Sequence, residues 1–269
     1  MSERLRDDRF PRSNAYHPDW IISGVSGAAH PLWLSEWLTE AIPLAPGMRV
    51  LDLGCGRGLS SVFLRREFGV EVWSVDLWFD PTETLQRFKD SGLGDGLFPL
   101  NLDARSLPFA EEFFDAVISI DSYFYFGTDD LFLGNLARFI KPEGWIGFAG
   151  VGLVQELPKG PPESLAAWWT PDLHCLHSAD WWARHWTRSG AVAVRTAESW
   201  PDGWRYWHRW VEQIAPENRV ELDALAEDAG KTMTYVRVVG QRRPQFTPTP
   251  PVPRIPSNYQ PHPLLRITQ

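Results

Sequence analysis

The fold of this chain is decided by the stretch Arg49-Val-Leu-Asp-Leu-Gly-Cys-Gly-Arg-Gly58. Its first five residues are mainly apolar, and they predict a buried strand over residues 49–53. Three glycines follow at alternate positions, and glycine lets a chain turn sharply and bring backbone N–H groups close to a ligand. The stretch therefore predicts a ligand-binding turn at the carboxyl end of a strand.

The spacing of these glycines separates two kinds of ligand. The dinucleotide-binding fingerprint needs G-x-G-x-x-G, which places a pyrophosphate at a helix N-terminus. Here Leu59 stands at the last fingerprint position, and the third glycine falls one residue early, at Gly58. Asp52, two residues before the first glycine, would complement an ammonium or sulfonium group. The spacing favours a cationic ligand without phosphates and disfavours a nicotinamide dehydrogenase.

Strands and helices alternate on both sides of this turn. We predict strands over residues 49–53, 70–76, 97–102, 114–120, 144–151, 191–198 and 232–239. We predict helices over residues 31–42, 58–68, 81–90, 128–140, 179–189, 203–214 and 217–229, with Asp80, Thr128 and Ser178 as N-caps. Residues 1–19 are polar and are expected to be loose, with Tyr16 as a candidate docking point. This alternation is typical of βαβ crossovers and of an α/β, doubly wound, mostly parallel sheet.

Composition and charge exclude several classes of protein. The chain has 269 residues, is 43% hydrophobic and carries a net charge of −8. An acidic protein of this kind repels a phosphate backbone, so we expect no nucleic-acid partner. Two cysteines cannot form a disulfide framework, and the N-terminus lacks an apolar signal-peptide region. We therefore expect a cytoplasmic protein, a monomer or homodimer, with no membrane partner and no metal site.

Tryptophan and proline are both distributed unevenly. Nine of the 15 tryptophans fall between Trp168 and Trp210, and eight of the 23 prolines fall between Pro244 and Pro263. Each tryptophan either packs in the core or belongs to an aromatic lid over the ligand. Such a lid would hold an amine by cation–π attraction or an aromatic substrate by stacking. The proline-rich tail, residues 244–269, is predicted to be extended polyproline II or coil.

Four acidic residues strengthen the prediction of a ligand site. Asp52, Asp76, Asp103 and Asp121 each lie near the carboxyl end of a successive predicted strand. Ligands of open α/β sheets bind beyond those ends, so the four side chains are expected to face one crevice.

With these features, residues 48–151 resemble the class I S-adenosylmethionine-dependent methyltransferases. The resemblance implies a Rossmann-like fold with a seven-stranded sheet, an antiparallel last strand and an aromatic-rich cover. It also implies S-adenosyl-L-methionine as the cofactor. Trp181-Trp182, Trp186 and Trp204 resemble a bacterial small-molecule subgroup that is labelled cyclopropane-synthase-like. No Asn/Asp-Pro-Pro-Tyr motif follows the fourth strand, which argues against methylation of nucleobases.

The resemblance assigns candidate residues to the cofactor. Asp76 matches the acidic residue that bonds the ribose hydroxyls, and Asp103-Ala104 matches the position beside the adenine amino group. Leu77 and Trp78 would flank the adenine, and Trp78 is also a candidate for substrate binding. The expected cofactor contacts are Asp52, Gly54, Cys55, Gly56, Gly58, Asp76, Leu77, Asp103, Ala104 and Asp121.

The candidates for chemistry each have a second interpretation. Asp121 either orders a loop or orients and deprotonates the acceptor, and Tyr123 and Tyr125 are either core aromatics or site residues. His30 is either an exposed neighbour of a helix N-cap or a base. We predict Asp121, Tyr125 and His30 as catalytic candidates, and Tyr16, Trp78, Tyr123 and Trp204 as substrate-binding candidates.

The predicted function is transfer of a methyl group from S-adenosylmethionine to an N, O or C atom of a small molecule. The alternative is a non-catalytic cofactor-binding or regulatory protein on the same fold, because a fold does not fix a function. We predict a single domain over residues 1–243. It comprises a cofactor half over about residues 45–151 and a Trp-rich cover over about residues 152–230.

Overall fold

Seven strands form the central sheet of residues 5–248, which are the residues that the computed structural model describes. The strands are β1 (Arg49–Leu53), β2 (Glu71–Asp76), β3 (Leu97–Asn101), β4 (Phe114–Ile120), β5 (Ile140–Leu153), β6 (Val192–Trp200) and β7 (Met233–Arg242). Their order is β3-β2-β1-β4-β5-β7-β6, and β7 pairs antiparallel with both β5 and β6. The predicted mostly parallel sheet with an antiparallel last strand is confirmed.

Nine α-helices of the described residues connect these strands. They are α1 (Pro18–Ser23), α2 (Pro31–Thr39), α3 (Leu59–Phe68), α4 (Pro81–Asp90), α5 (Phe124–Gly127), α6 (Phe132–Ala137), α7 (Ala179–Arg188), α8 (Gly203–Ile214) and α9 (Arg219–Asp228). Two of them begin at the predicted caps, because Asp80 accepts a hydrogen bond from the Thr82 N–H and Ser178 accepts one from the Trp181 N–H.

The predicted helix over residues 128–140 is wrong. Thr128 ends the short helix α5 instead of beginning a longer one, and α6 starts only at Phe132. The strand β5 already begins at Ile140. Tyr123 to Gly127 are aromatic or small, and the core takes up Tyr123, Phe124 and Phe126, which places a helical turn directly after β4.

Residues 5–19 are also more ordered than expected. The Phe10 side chain is fully buried and lies against Trp33, Trp200 and Tyr206, with ring centroids 5.3–6.0 Å apart. The Glu36 carboxylate accepts hydrogen bonds from the backbone N–H groups of Arg12 and Ser13. The segment is polar overall, but the single buried ring of Phe10 holds it against the rest of the protein.

The order of the strands positions the site. The chain moves outward from β1 to β2 and β3, and then returns to place β4 on the other side of β1. At such a switch point two crossover connections leave the sheet in opposite directions, which opens a crevice beyond the carboxyl ends of β1 and β4.

The described part of the chain continues for a few residues past the last strand, β7. Phe246 packs on the core beyond the last strand, and its carbonyl accepts a hydrogen bond from Arg242. The rest of the predicted polyproline tail, from residue 249 onward, lies outside the described residues. Among the helices of residues 5–248, none combines the length and apolar character needed to cross a bilayer.

Candidate functional site

Two adjoining depressions open at the switch point of the sheet. The larger has a volume of about 910 Å³ and the smaller about 540 Å³. Both are lined by Gly54, Asp76, Trp78, Ser122 and Tyr125, so they form one continuous cleft.

The glycine turn forms one wall of the cleft, as the sequence predicts. Gly54, Cys55 and Gly56 line the larger depression. Gly54 has a φ of +76°, and a Cβ at this position would lie 1.9 Å from the Ser122 Oγ. Only glycine therefore allows the turn after β1 to approach the turn after β4 this closely. Gly58 does not line the cleft but is the N-cap of α3.

Asp76 lies at the junction of the two depressions. Its Oδ2 accepts a hydrogen bond from the Gly56 N–H, and its Oδ1 accepts one from the Trp78 N–H, both at 2.8 Å. Two backbone donors thus fix the plane of the carboxylate, and each oxygen keeps a lone pair for a further donor. Asp76 can therefore accept two hydrogen bonds from a ligand that spans both depressions.

The smaller depression is formed by residues that follow β2 and β3. Leu77, Asp103 and Ala104 line it. The Asp103 carboxylate accepts a hydrogen bond from the Arg105 N–H and lies 3.7 Å from the Arg105 guanidinium. Leu77 is 51% exposed and Trp78 is 74% exposed, so the outer rim of this depression is apolar.

Asp121 lines the larger depression and follows directly after β4. Its φ of +53° is unusual for a residue other than glycine. Its Oδ2 accepts a hydrogen bond from the Ala29 N–H and its Oδ1 accepts one from the Val151 N–H. Burial raises the pKa of Asp121 to about 7, so this carboxyl group can gain and lose a proton near neutral pH.

Asp52 is not in the cleft. Its side chain is fully buried, and its Oδ2 accepts hydrogen bonds from the hydroxyl groups of Ser60 and Ser61 on α3. Burial raises its pKa to about 6. The structure assigns Asp52 to the connection between β1 and α3, because that strand residue points into the sheet–helix layer instead of toward the crevice.

His30 and Tyr123 are likewise buried away from the cleft. The His30 Nδ1 accepts a hydrogen bond from the Trp33 N–H, which makes His30 the N-cap of α2, and its ring stacks on Trp33 at 4.0 Å. Burial lowers its pKa to about 3. Tyr123 stacks on Phe148 at 4.8 Å and is 1% exposed. The expectation of an exposed His30 is wrong, and neither side chain lines the cleft.

Two further candidates lie on other surfaces. The Tyr16 hydroxyl donates a hydrogen bond to Glu67, and its ring stacks on Trp20. Trp204 packs against Gly230 and lines a shallow surface depression with Arg205 and His208. Neither Tyr16 nor Trp204 reaches the cleft. Tyr125 does reach it and is 45% exposed there, and burial and Asp121 raise its pKa to about 12.

Residues that the sequence reasoning missed form the remaining walls. The loop over residues 24–29 lines the larger depression, and a Cβ at Gly27 would lie 2.8 Å from the Asp121 Oδ2. The pair Gly24 and Gly27 is the signal that could have indicated this close approach. Trp168 and Trp207 cover the same depression, which the tryptophan count alone could not single out.

Within residues 5–248 the structure contains no group of three or more His, Cys, Asp or Glu side chains that could hold a metal ion. Two histidines, His174 and His177, flank Cys175 in the sequence, and each has a different partner. The His177 Nδ1 forms a hydrogen bond with Glu156, and the His174 ring lies near Trp169. These side chains have local partners in the loop before α7.

Comparisons with known proteins agree with this architecture. Residues 51–148 match a family described as a methyltransferase domain. The methyltransferase GfsG of Streptomyces halstedii is 29% identical over 119 residues, which are 44% of this chain and 43% of that protein. The fatty-acid O-methyltransferase of Mycolicibacterium smegmatis is 34% identical over 100 residues, which are 37% and 35% of the two proteins. The matches thus span less than half the length of either relative.

A solved structure is similar over a larger part of the chain. The geranyl diphosphate C-methyltransferase of Streptomyces coelicolor A3(2), in complex with Mg²⁺, geranyl diphosphate and S-adenosyl-L-homocysteine, has a TM-score of 0.65 and 20% sequence identity. The similarity covers 77% of this chain and 76% of that one. At this identity the comparison shows the fold alone, and it confirms the expected Rossmann-like arrangement.

Proposed function

We propose that this chain, which belongs to the class I S-adenosylmethionine-dependent methyltransferases, transfers the methyl group of S-adenosylmethionine to an acceptor atom of a small molecule. The family expectation is confirmed by the methyltransferase-domain match over residues 51–148. The similarity to the cyclopropane-synthase-like subgroup stays a prediction.

The single observation that carries the proposal is the position of Asp76. Its two oxygens are held by backbone N–H groups at the point where the two depressions meet. A nucleoside bound across this point would place its base in the smaller depression and its 5′ substituent in the larger one. The vicinal hydroxyls of the ribose would then donate to the two oxygens of one carboxylate, which is a bidentate arrangement.

The other lining residues fit S-adenosylmethionine in the same orientation. Ala104 and Leu77 offer an apolar surface for the adenine, and Asp103 offers an acceptor for its amino group. Gly54 and Gly56 have no side chain to obstruct the methionine portion. The bound cofactor supplies an electrophilic methyl group on a sulfonium sulfur.

The protein then has three tasks at the acceptor end of the cleft. Trp168, Leu173 and Trp207 exclude water from the larger depression. The same residues align the acceptor atom with the methyl group, and alignment of this kind supplies much of the rate enhancement. Asp121 accepts a proton from the acceptor as the new bond forms.

Calorimetry with S-adenosylmethionine tests the cofactor site. We expect one site per chain, and we expect Asp76→Ala to weaken binding by about 100-fold or more, since two charge-assisted hydrogen bonds are lost. Asp95→Ala is the matched control, because Asp95 is an exposed aspartate outside both depressions. Binding that survives Asp76→Ala would contradict the assignment of the site, and absence of binding by the unaltered chain would contradict the proposed function.

The non-catalytic alternative is separated from the methyltransferase by turnover. Formation of S-adenosylhomocysteine in the presence of acceptor amines, phenols and carboxylates supports transfer. Tight binding of the cofactor without turnover across that panel would support a binding or regulatory protein on the same fold.

A further inference from the structure

The described ionisable side chains that line the larger depression include acids but no bases. Its lining contains the carboxylates of Asp76 and Asp121, but none of the described residues that line it is a lysine, an arginine or a histidine. Arg105 lines the smaller depression beside the Asp103 carboxylate. Arg87 approaches Gly24 at the larger depression, but its guanidinium donates hydrogen bonds to Trp20 and Ser23. No basic side chain of the described lining is therefore available to pair with an anionic acceptor in the larger depression.

This lining opposes acceptors that carry a carboxylate or a phosphate group. An anion that leaves water for an enclosed site loses its hydration, and the loss is compensated only by a cation or by several hydrogen-bond donors. The methionine carboxylate of the cofactor can accept hydrogen bonds at the N-terminus of α3, where Leu59 and Ser60 line the depression, whereas an anionic acceptor would meet the negative charge of Asp121. The same field stabilises a cation.

The aromatic wall adds a second, independent preference for a cation. Trp168 and Trp207 meet edge to face, with ring centroids 5.5 Å apart. The Trp207 Nε1–H donates a hydrogen bond to the Glu221 carboxylate at 2.8 Å. Trp207 is only 1% exposed, so the partly exposed Trp168 is the indole of this wall that a ligand can reach, and an indole is the aromatic ring that attracts cations most strongly.

Glu221 itself is a buried acid without a described basic partner. It is 8% exposed, and its hydrogen bonds are to Trp207 and Asn218. Behind Trp207 lies Tyr235, stacked at 5.9 Å and also buried. Burial and the proximity of Asp121 and Glu221 raise the pKa of the Tyr235 hydroxyl well above its usual value. The Tyr235 hydroxyl therefore stays neutral, and the acids near the acceptor end are Asp121 and Glu221. Burial raises the pKa of both carboxyl groups, and a ligand cation would favour their charged forms.

We propose that the methyl acceptor is an organic amine, positively charged in solution, whose apolar body packs on Trp168 and which carries no carboxylate or phosphate group. This inference rests on the proposed methyl transfer and specifies its substrate class.

The residues present can perform N-methylation with a balanced exchange of atoms. The carboxylate of Asp121 accepts a proton from the ammonium group, which frees the nitrogen lone pair. The nitrogen–carbon bond to the methyl group then forms as the carbon–sulfur bond breaks, and the electron pair of that bond stays on sulfur. The N-methylated ammonium product leaves, and Asp121 releases its proton to solvent. The raised pKa of Asp121 supports this step, because it lessens the difference from that of an amine.

Three probes of nearly the same shape test the charge preference. Tryptamine carries an ammonium group, tryptophol is neutral, and indole-3-propionate carries a carboxylate. Each is titrated against the full chain by calorimetry, with and without S-adenosylhomocysteine. We expect tryptamine to bind about tenfold more tightly than tryptophol, in line with the strength of cation–π and charge interactions, and indole-3-propionate to bind most weakly. Equal affinities, tightest binding of the anion, or no binding of any probe would overturn the inference.

Two variants locate the preference in the cleft. Asp121→Asn keeps a residue that tolerates a positive φ, and we expect it to weaken tryptamine binding about tenfold while leaving tryptophol unchanged. Leu173→Arg places a cation in the lining and is expected to reverse the order of tryptamine and indole-3-propionate. Leu173→Gln is the control for the loss of the leucine side chain. An unchanged order in Leu173→Arg would also overturn the inference.

These titrations separate the two levels of the proposal. If S-adenosylhomocysteine does not bind, the proposed function fails, and the order of the probes still decides the charge preference. If S-adenosylhomocysteine binds and the anionic probe is preferred, only the inference about amines fails.

Discussion

The cofactor half and the aromatic cover of this molecule use their characteristic residues in opposite ways. In the cofactor half, Gly54 and Gly56 after β1 and Asp76 at the end of β2 lie in the cleft itself. In the cover, nine tryptophans fall between Trp168 and Trp210, but only Trp168 and Trp207 line the cleft. In this sequence the glycine turn thus predicts the position of the site, whereas the cluster of tryptophans mainly predicts a packed core.

The packing of the cover explains this difference. Trp182 and Trp186 lie against Phe148 of β5 and against Tyr123, so they cover one face of the sheet. Trp200 and Trp210 are buried beside α2. The antiparallel pair β6 and β7 extends the sheet, and the large indoles fill the space beneath the helices that cover this extension.

The largest expected effect comes from a tryptophan of the cover. Trp182→Ala removes a side chain that is 1% exposed, so we expect the free energy of unfolding to fall by about 3–5 kcal/mol. Trp78→Ala, at a residue that is 74% exposed, is the control and should change stability by less than about 1 kcal/mol. Urea titration measures both. Similar losses in the two variants would remove the distinction between core and cleft tryptophans.

The second effect concerns proton transfer in the cleft. Below a pH of about 7 the Asp121 carboxyl is protonated and cannot accept a proton, so we expect kcat/KM to rise with pH through about 7 and then level off. Asp121→Asn should lower turnover about 100-fold and remove this inflection. A variant that keeps both the rate and the pH dependence would show that Asp121 only ties the loop over residues 24–29 to β5.

The third effect compares Gly58, the last glycine of the turn after β1, with Gly92, a glycine outside that turn. Gly58 has a φ of +81°, and an added Cβ would lie 2.4 Å from Phe88, so we expect Gly58→Ala to destabilise the fold by about 2–4 kcal/mol. Gly92 has a φ of +74° with open space around it, so Gly92→Ala should cost only about 1–2 kcal/mol. Thermal unfolding of the two variants measures both losses, and their difference is the cost of the steric contact between the added Cβ and Phe88. Equal losses would mean that the backbone conformation alone requires glycine at position 58.

The smallest effect is expected at Tyr125. Because its pKa is raised to about 12, its hydroxyl stays protonated at neutral pH and does not act as a base. Tyr125→Phe should therefore lower kcat by less than about threefold, a change within the contribution of one neutral hydrogen bond. A loss of 100-fold in steady-state assays would instead assign proton transfer to this residue.

The part of the fold that depends on local sequence could be predicted. The bounds of β1, β4 and α8 agree with the predictions, because strand ends and caps are determined by nearby glycine, proline and polar residues. Gly54, Asp76 and Asp121 reach the cleft because parallel strands end at a common edge.

The remainder depends on contacts between distant segments. Asp52 alternates to the side of the strand that faces α3, and two serine hydroxyls take up its Oδ2. Trp204 and Trp207 are close in sequence, but Trp204 contacts Gly230 while Trp207 faces the cleft, and only the docking of α9 decides between them. The loop over residues 24–29 is held in the site by a distant contact, since the Ala29 N–H donates a hydrogen bond to the Asp121 carboxylate.

A structure of the chain bound to S-adenosylhomocysteine tests the central claim most directly. We expect both ribose hydroxyls to lie within hydrogen-bond distance of the Asp76 carboxylate, with the adenine beside Ala104 and the sulfur facing the space between Asp121 and Trp207. A nucleoside bound elsewhere, or bound in the cleft with its ribose away from Asp76, would contradict it.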